Sequence, residues 1–166
     1  MIDSGVHILV DTNVVIEAHR TRCWKALLGR YRLDTVEQCL IELVSGNQMR
    51  RGYVPVDADE IRSALRPKSV TEKQRAEFQS LLANRVDLDP GESDLLAYAR
   101  TLQEGTYFLC SPDKPALWAT RIIGVLDQVV SLEELLEGTG VGPPLREQYT
   151  KKWLAREKIK IRLEVL

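Results

Sequence analysis

Five carboxylates stand out by their positions. Asp11 directly follows the apolar run Ile8-Leu9-Val10, and Asp113 follows Thr106-Tyr107-Phe108-Leu109-Cys110-Ser111 and one proline. Glu92 and Asp94 lie in Asp89-Pro90-Gly91-Glu92-Ser93-Asp94-Leu95-Leu96-Ala97, and Glu42 comes seven residues after Thr35. Acids gathered in one cleft either move protons or hold a cation. Two unit charges 4 Å apart at an effective dielectric of 20 repel by about 4 kcal/mol, which is large beside a domain's stability of about 5–15 kcal/mol. A shared cleft therefore needs a divalent cation or raised carboxyl pKa values. The chain has only two histidines, His7 and His19, and three scattered cysteines, Cys23, Cys39 and Cys110, with no CxxC. The donor set is then all oxygen, which selects Mg2+ or Mn2+ over zinc. The matching reaction class is metal-assisted phosphodiester hydrolysis.

Each acid also has a plainer reading. Asp11 ends a strand and caps a helix. Glu92 falls at the third helical position after Asp89, so it fits the acid of a capping box. Asp113 in a first helical turn gains about 0.3–1 kcal/mol from the helix dipole. Glu42 reads as an exposed helical glutamate. Asp94, in the second turn before an apolar run, has no such structural task.

The elements that must position these groups follow from pattern and punctuation. Residues 8–10 and 106–111 read as buried strands, each leading into a capped helix, residues 14–20 and 113–122. Trp24, Leu27 and Leu28 mark a short helix in a basic stretch that carries Arg20, Arg22, Lys25, Arg30 and Arg32. That stretch is a solvated face or a phosphate-binding rim. Thr35 with Gln38, Thr71 with Gln74 and Ser131 with Glu134 form capping-box patterns for helices over 36–44, 71–82 and 132–136. Residues 57–65 read as a helix closed by Pro67, residues 53–56 as an extended piece, and residues 129–130 as a short strand. Leu145, Tyr149 and Trp153 predict a helix to about residue 156. After it, Ile159, Ile161, Leu163 and Val165 alternate with charged residues, the pattern of an edge strand or of a strand given to a partner. Strands alternating with helices predict an α/β fold with a mostly parallel sheet, whose carboxyl edge is the usual place for ligands. Asp11 and Asp113 belong on that edge.

With 166 residues, 44% hydrophobic and 28% charged, at net charge −1, the chain is bounded as one globular domain with a proper core. The net charge argues neither for nor against nucleic acid. The cysteine usage fits a reducing cytoplasm. No run is long enough to span a membrane, and acids interrupt the start, so no signal peptide is expected.

Asp11-Thr12-Asn13 after a strand, Glu42 in its helix, Gly91-Glu92-Ser93-Asp94-Leu95-Leu96-Ala97 and Ser111-Pro112-Asp113 resemble, in order, the four acidic motifs of PIN domains. The separations of Asp11, Glu42, Asp94 and Asp113 are 31, 52 and 19 residues. The resemblance covers roughly residues 7–137. It implies a Rossmann-like three-layer fold over residues 1–142, a Mg2+ or Mn2+ cleft and, in many members, RNA cleavage. It also implies kinship with VapC-like toxin ribonucleases, which an antitoxin protein neutralises and which are commonly dimeric. On this resemblance Asp11, Asp94 and Asp113 hold the metal, and Glu42 is a further ligand or orients the attacking water. Thr12 or Asn13 hydrogen-bonds a ligand carboxylate or the substrate phosphate. Arg20, Arg22, Lys25, Arg50 and Arg51 track the RNA backbone. The glutamate-aspartate pair leaves the third ligand open between Glu92 and Asp94, and the register with Leu95-Leu96-Ala97 favours Asp94. Residues 143–166, a helix and strand packed on the same domain or on a partner, lie beyond the compact toxin pattern and offer a route to a homodimer through the terminal strand. The competing classes are a PIN-like module that binds RNA or a partner without cutting, and a phospho-aspartate phosphohydrolase. The latter would want a second aspartate where Asn13 stands.

Overall fold

In the computed structural model the described residues are 1–45 and 55–164. Three strands, β1 (His7–Val10), β2 (Arg32–Asp34) and β3 (Tyr107–Cys110), form a parallel sheet in the order β2-β1-β3. Ile8 pairs with Leu33 on one side and with Phe108 on the other. A single parallel bridge from Leu109 to Val129 extends the far edge, in place of the expected strand at 129–130. β2 was not expected. Its Arg-Leu-Asp sequence carries no apolar run, and its strand conformation comes from pairing with β1.

Around the sheet lie α1 (Thr12–Arg20), α2 (Trp24–Arg30), α3 (Glu37–Ser45), α4 (Ala58–Leu65), α5 (Glu72–Leu82), α6 (Pro90–Ala99), α7 (Lys114–Ile122), α8 (Leu132–Glu137) and α9 (Lys151–Leu163). Successive strand residues face opposite sides, and this alternation builds two cores. Ile8, Val10, Leu33 and Cys110 pack with α1, α2, α4 and α8. Leu9, Tyr107 and Leu109 pack with α5, α6, α7 and α9. The architecture is thus three-layered α/β, as the alternation of elements predicts.

Local chemistry explains most helix starts. Asp57 caps α4, Asp89 caps α6 with Pro90 in the first turn, and Thr71/Gln74 and Ser131/Glu134 form full capping boxes. Thr35 acts differently from expectation: its hydroxyl donates to the Val10 carbonyl at 2.8 Å, tying the carboxyl ends of β1 and β2.

The expected terminal edge strand is a helix. α9 runs through Leu163, capped at its start by Thr150 and at its end by Arg121, whose guanidinium donates to the carbonyls of Ile161 and Glu164. Trp153, Leu154 and Ile161 are buried in the second core, while Ile159 and Leu163 are exposed. The stripe has helical period, and Lys, Arg, Glu and Leu are strong helix formers. The alternation was a coincidence of composition. A homodimer joined through a C-terminal strand therefore has no strand to use among the described residues. Val165 and Leu166, like Tyr53 and Val54 of the expected extended piece, lie outside the described residues.

Candidate functional site

The carboxyl edge of the sheet carries the site. Asp11 leaves β1 and becomes the N-cap of α1: its Oδ1 accepts from the Val14 N–H at 2.9 Å. Its Oδ2 accepts from the Ser111 hydroxyl at 2.8 Å, so the ends of β1 and β3 are clamped together. Asp11 is only 2% exposed. Burial pushes its pKa up to about 7, against the lowering pull of the Val14 N–H and the Ser111 hydroxyl, and nearby Asp113 and Asp89 push it further the same way. Among the described residues Asp11 makes no ion pair, and the charged groups that shift it most are both acids.

α3 and α6 close the cleft. Gly91, in the first turn of α6, donates its N–H to Glu42 Oε1 at 2.8 Å. A Cβ at Gly91 would overlap the Glu42 carboxylate, so the glycine is what allows this approach. The Cys39 thiol donates to the Gly91 carbonyl at 3.4 Å, and the Thr12 hydroxyl donates to the Cys39 carbonyl at 3.0 Å, which fastens α1 to α3. Glu42 is not the exposed glutamate of the plainer reading. Its pKa is raised, first by burial and then by Asp89.

Glu92 and Asp94 exchange the roles expected of them. Asp89 caps α6 through the Glu92 N–H at 2.8 Å, but the Glu92 carboxyl lies against Asp113. Burial raises the Glu92 pKa, and the neighbouring Asp113 carboxyl raises it further. Asp94 turns the other way. It is buried and accepts a two-pronged pair from Arg75, Nε to Oδ1 at 2.8 Å and Nη2 to Oδ2 at 2.9 Å. A two-pronged arginine is a strong partner for a carboxylate, so Asp94 joins α5 to α6; it remains near enough to Glu42 to raise its pKa, while Glu92 is the member of the pair that lines the cleft. The register with Leu95-Leu96-Ala97 misled because α6 is buried nearly all round, leaving its apolar pattern without a directional stripe.

Asp11, Thr12, Asn13, Cys39, Glu42, Asp89 and Glu92 line a cavity of about 10 Å³, close to the room one water needs. Two contributors went unrecognised in the sequence as site residues. Asp89 was assigned only as a cap, although a cap and the helix's first turn necessarily share one end. Ser111 was seen only as part of a motif. Asn13 is exposed at the rim. The basic residues expected to track RNA lie elsewhere: α1 begins at the cleft and runs away from it, so Arg20 stands about 12 Å off along the axis. Arg20 pairs with buried Glu17, while Arg22 and Lys25 are exposed beyond it. Arg50 and Arg51 lie outside the described residues.

The donors fit a hard cation in kind, since all the acids at the cleft offer oxygen. Their spacing does not yet fit one. Among the described residues no three His, Cys, Asp or Glu side chains stand together as an ion would require. No protein-family model matches this chain, and no curated protein matches it either. Among the described residues no helix is long and apolar enough to cross a membrane.

Proposed function

We propose that this chain is a PIN-like, Mg2+- or Mn2+-dependent endoribonuclease whose cation ligands are Asp11, Glu92 and Asp113, with Glu42 and Asp89 beside them. The observation that carries this reading is the convergence of acids from four separate segments on the carboxyl edge of one parallel sheet, where two of them, Asp11 and Glu92, are buried and have no ion pair among the described residues. Stable folds do not collect uncompensated buried carboxyls without a use, because each costs free energy.

When bound, a Mg2+ or Mn2+ ion would supply Lewis acidity toward a phosphodiester oxygen and lower the pKa of a coordinated water. The chain's own groups do the rest. Ser111 and the Val14 N–H hold Asp11 in one orientation. Glu42, fixed by the Gly91 N–H and with a raised pKa, is placed to take a proton from the attacking water. Asn13 at the rim offers its side-chain amide to a phosphate oxygen. Water attacks phosphorus, the P–O ester bond breaks, and the leaving oxygen takes up a proton.

Single-stranded RNA and single-stranded DNA incubated with the wild type and Asp11→Asn, in Mn2+, Mg2+ or EDTA, test the reading. The wild type should cleave RNA only with metal, and Asp11→Asn should be at least about 100-fold slower, a loss of about 2.7 kcal/mol in transition-state stabilisation. Equal rates in both proteins reject catalysis. The Arg75 pair on Asp94 favours a second reading, a PIN-like module that binds RNA or a partner without cutting it. Metal-independent RNA binding with no cleavage would select it.

A further inference from the structure

A second concavity, of about 480 Å³, lies between α7 and the loop that joins α5 to α6. Lys114, Trp118 and Ile122 line it from one face of α7, and Arg85 faces them from the loop, with Asp87 and Glu164 completing the wall. Both of its elements lead into the acidic cleft. Lys114 is the next residue after Asp113, and the loop continues from Asp87 to Asp89. The groove's Lys114 end is thus one residue along the chain from Asp113. Its two cations and two anions balance, so its walls favour no polyanion as a whole. What it offers is an apolar floor, a partly exposed indole and one exposed lysine nearest the acids. Arg121, which is not part of the groove lining, lies over the Trp118 ring at 5.9 Å, a cation–π contact that occupies one face of the indole and leaves the other for a base. Trp118 stands about 6 Å along the helix axis from Lys114.

We infer that this groove seats one nucleobase of a single-stranded nucleic acid, stacked on Trp118, while Lys114 takes the adjoining phosphate and directs the strand into the acidic cleft. The inference rests on the nuclease reading for its choice of ligand. It gives a chain of net charge −1 a way to hold a strand by stacking, which is tolerant of sequence and needs little positive charge. It also predicts weak salt dependence, since few phosphates are neutralised.

The test is binding without turnover. Short fluorescein-labelled single-stranded RNA, the same oligomer with one central abasic site, and a free nucleoside monophosphate are titrated in EDTA against wild type, Trp118→Ala, Trp118→Phe and Asp11→Asn. Stacking is worth about 5- to 150-fold in affinity per base. Trp118→Ala should lose at least about fivefold, Trp118→Phe should keep most of the affinity, and the abasic oligomer should bind the wild type as weakly as the intact one binds Trp118→Ala. Quenching of tryptophan fluorescence by RNA should disappear in Trp118→Phe, because Trp24 and Trp153 are buried. Equal binding by wild type and Trp118→Ala overturns the inference, as does indifference to the abasic site or a mononucleotide that binds as tightly as the oligomer. The two readings fail separately. Metal-dependent cleavage lost in Asp11→Asn but unaffected in rate and KM by Trp118→Ala keeps the nuclease and removes the groove. Base-dependent binding with no cleavage keeps the groove and removes the nuclease.

Discussion

Asp11 is held where its neutral form is favoured in the metal-free protein. Moving a carboxyl from 3.8 to about 7 corresponds to about 4 kcal/mol. The folded state then holds this proton more tightly than the unfolded chain does. Its contribution to stability is full below about pH 4 and is lost as pH rises through about 7. Metal-free wild type should therefore lose stability across that window by denaturant titration. Asp11→Asn should remove most of that loss and be the more stable of the two at pH 8, by on the order of 2 kcal/mol. A wild type no less stable at pH 8 than at pH 5, relative to the variant, would contradict the burial of an ionisable Asp11. Gly91 makes a second prediction. Glycine to alanine inside a helix ordinarily gains up to about 1 kcal/mol, but here the added methyl overlaps the Glu42 carboxylate. Gly91→Ala should keep its fold by circular dichroism and lose at least about tenfold in cleavage rate, since a small misplacement of a reacting group is costly. Unchanged cleavage would remove Glu42 from the chemistry.

The elements divide into those that announce themselves and those that do not. β1 and β3 were legible because buried strands of a parallel sheet read as apolar runs, and α4, α5, α6 and α8 because their caps are local chemistry. Asp11, Glu42 and Asp113 were legible as site candidates by their places on those elements. Three things were hidden. β2 is made by its neighbour. The second half of α9 was masked by an alternation that the helix already under way at Trp153 and Leu154 overrides. The choice between Glu92 and Asp94 depended on Arg75, which lies 19 residues away on a different helix and has no sequence signature as a partner. The terminal helix is part of the core, so Trp153→Ala should cost about 3–5 kcal/mol in a denaturant melt; a loss under 1 kcal/mol would return the tail to the status of an appendage. Breaking the α5–α6 tie with Arg75→Met, by contrast, should lower the melting temperature by several degrees and leave metal-dependent cleavage measurable below it. Abolished cleavage in a folded Arg75→Met would move Asp94 back into the site.

At the scale of the whole molecule, two apolar layers grip a sheet with three strands among the described residues, and one edge of that sheet gathers its acids. The arrangement makes sense as a fold whose layers pin the strand ends while a cation offsets the repulsion there. Mn2+ titrated calorimetrically into wild type, Asp11→Asn, Glu92→Gln and Asp94→Asn tests that claim without depending on a substrate. Saturable binding by wild type is predicted, weakened at least about tenfold, or about 1.4 kcal/mol, in Asp11→Asn and Glu92→Gln, and retained in Asp94→Asn. Identical isotherms for all four proteins, or a loss confined to Asp94→Asn, would contradict it.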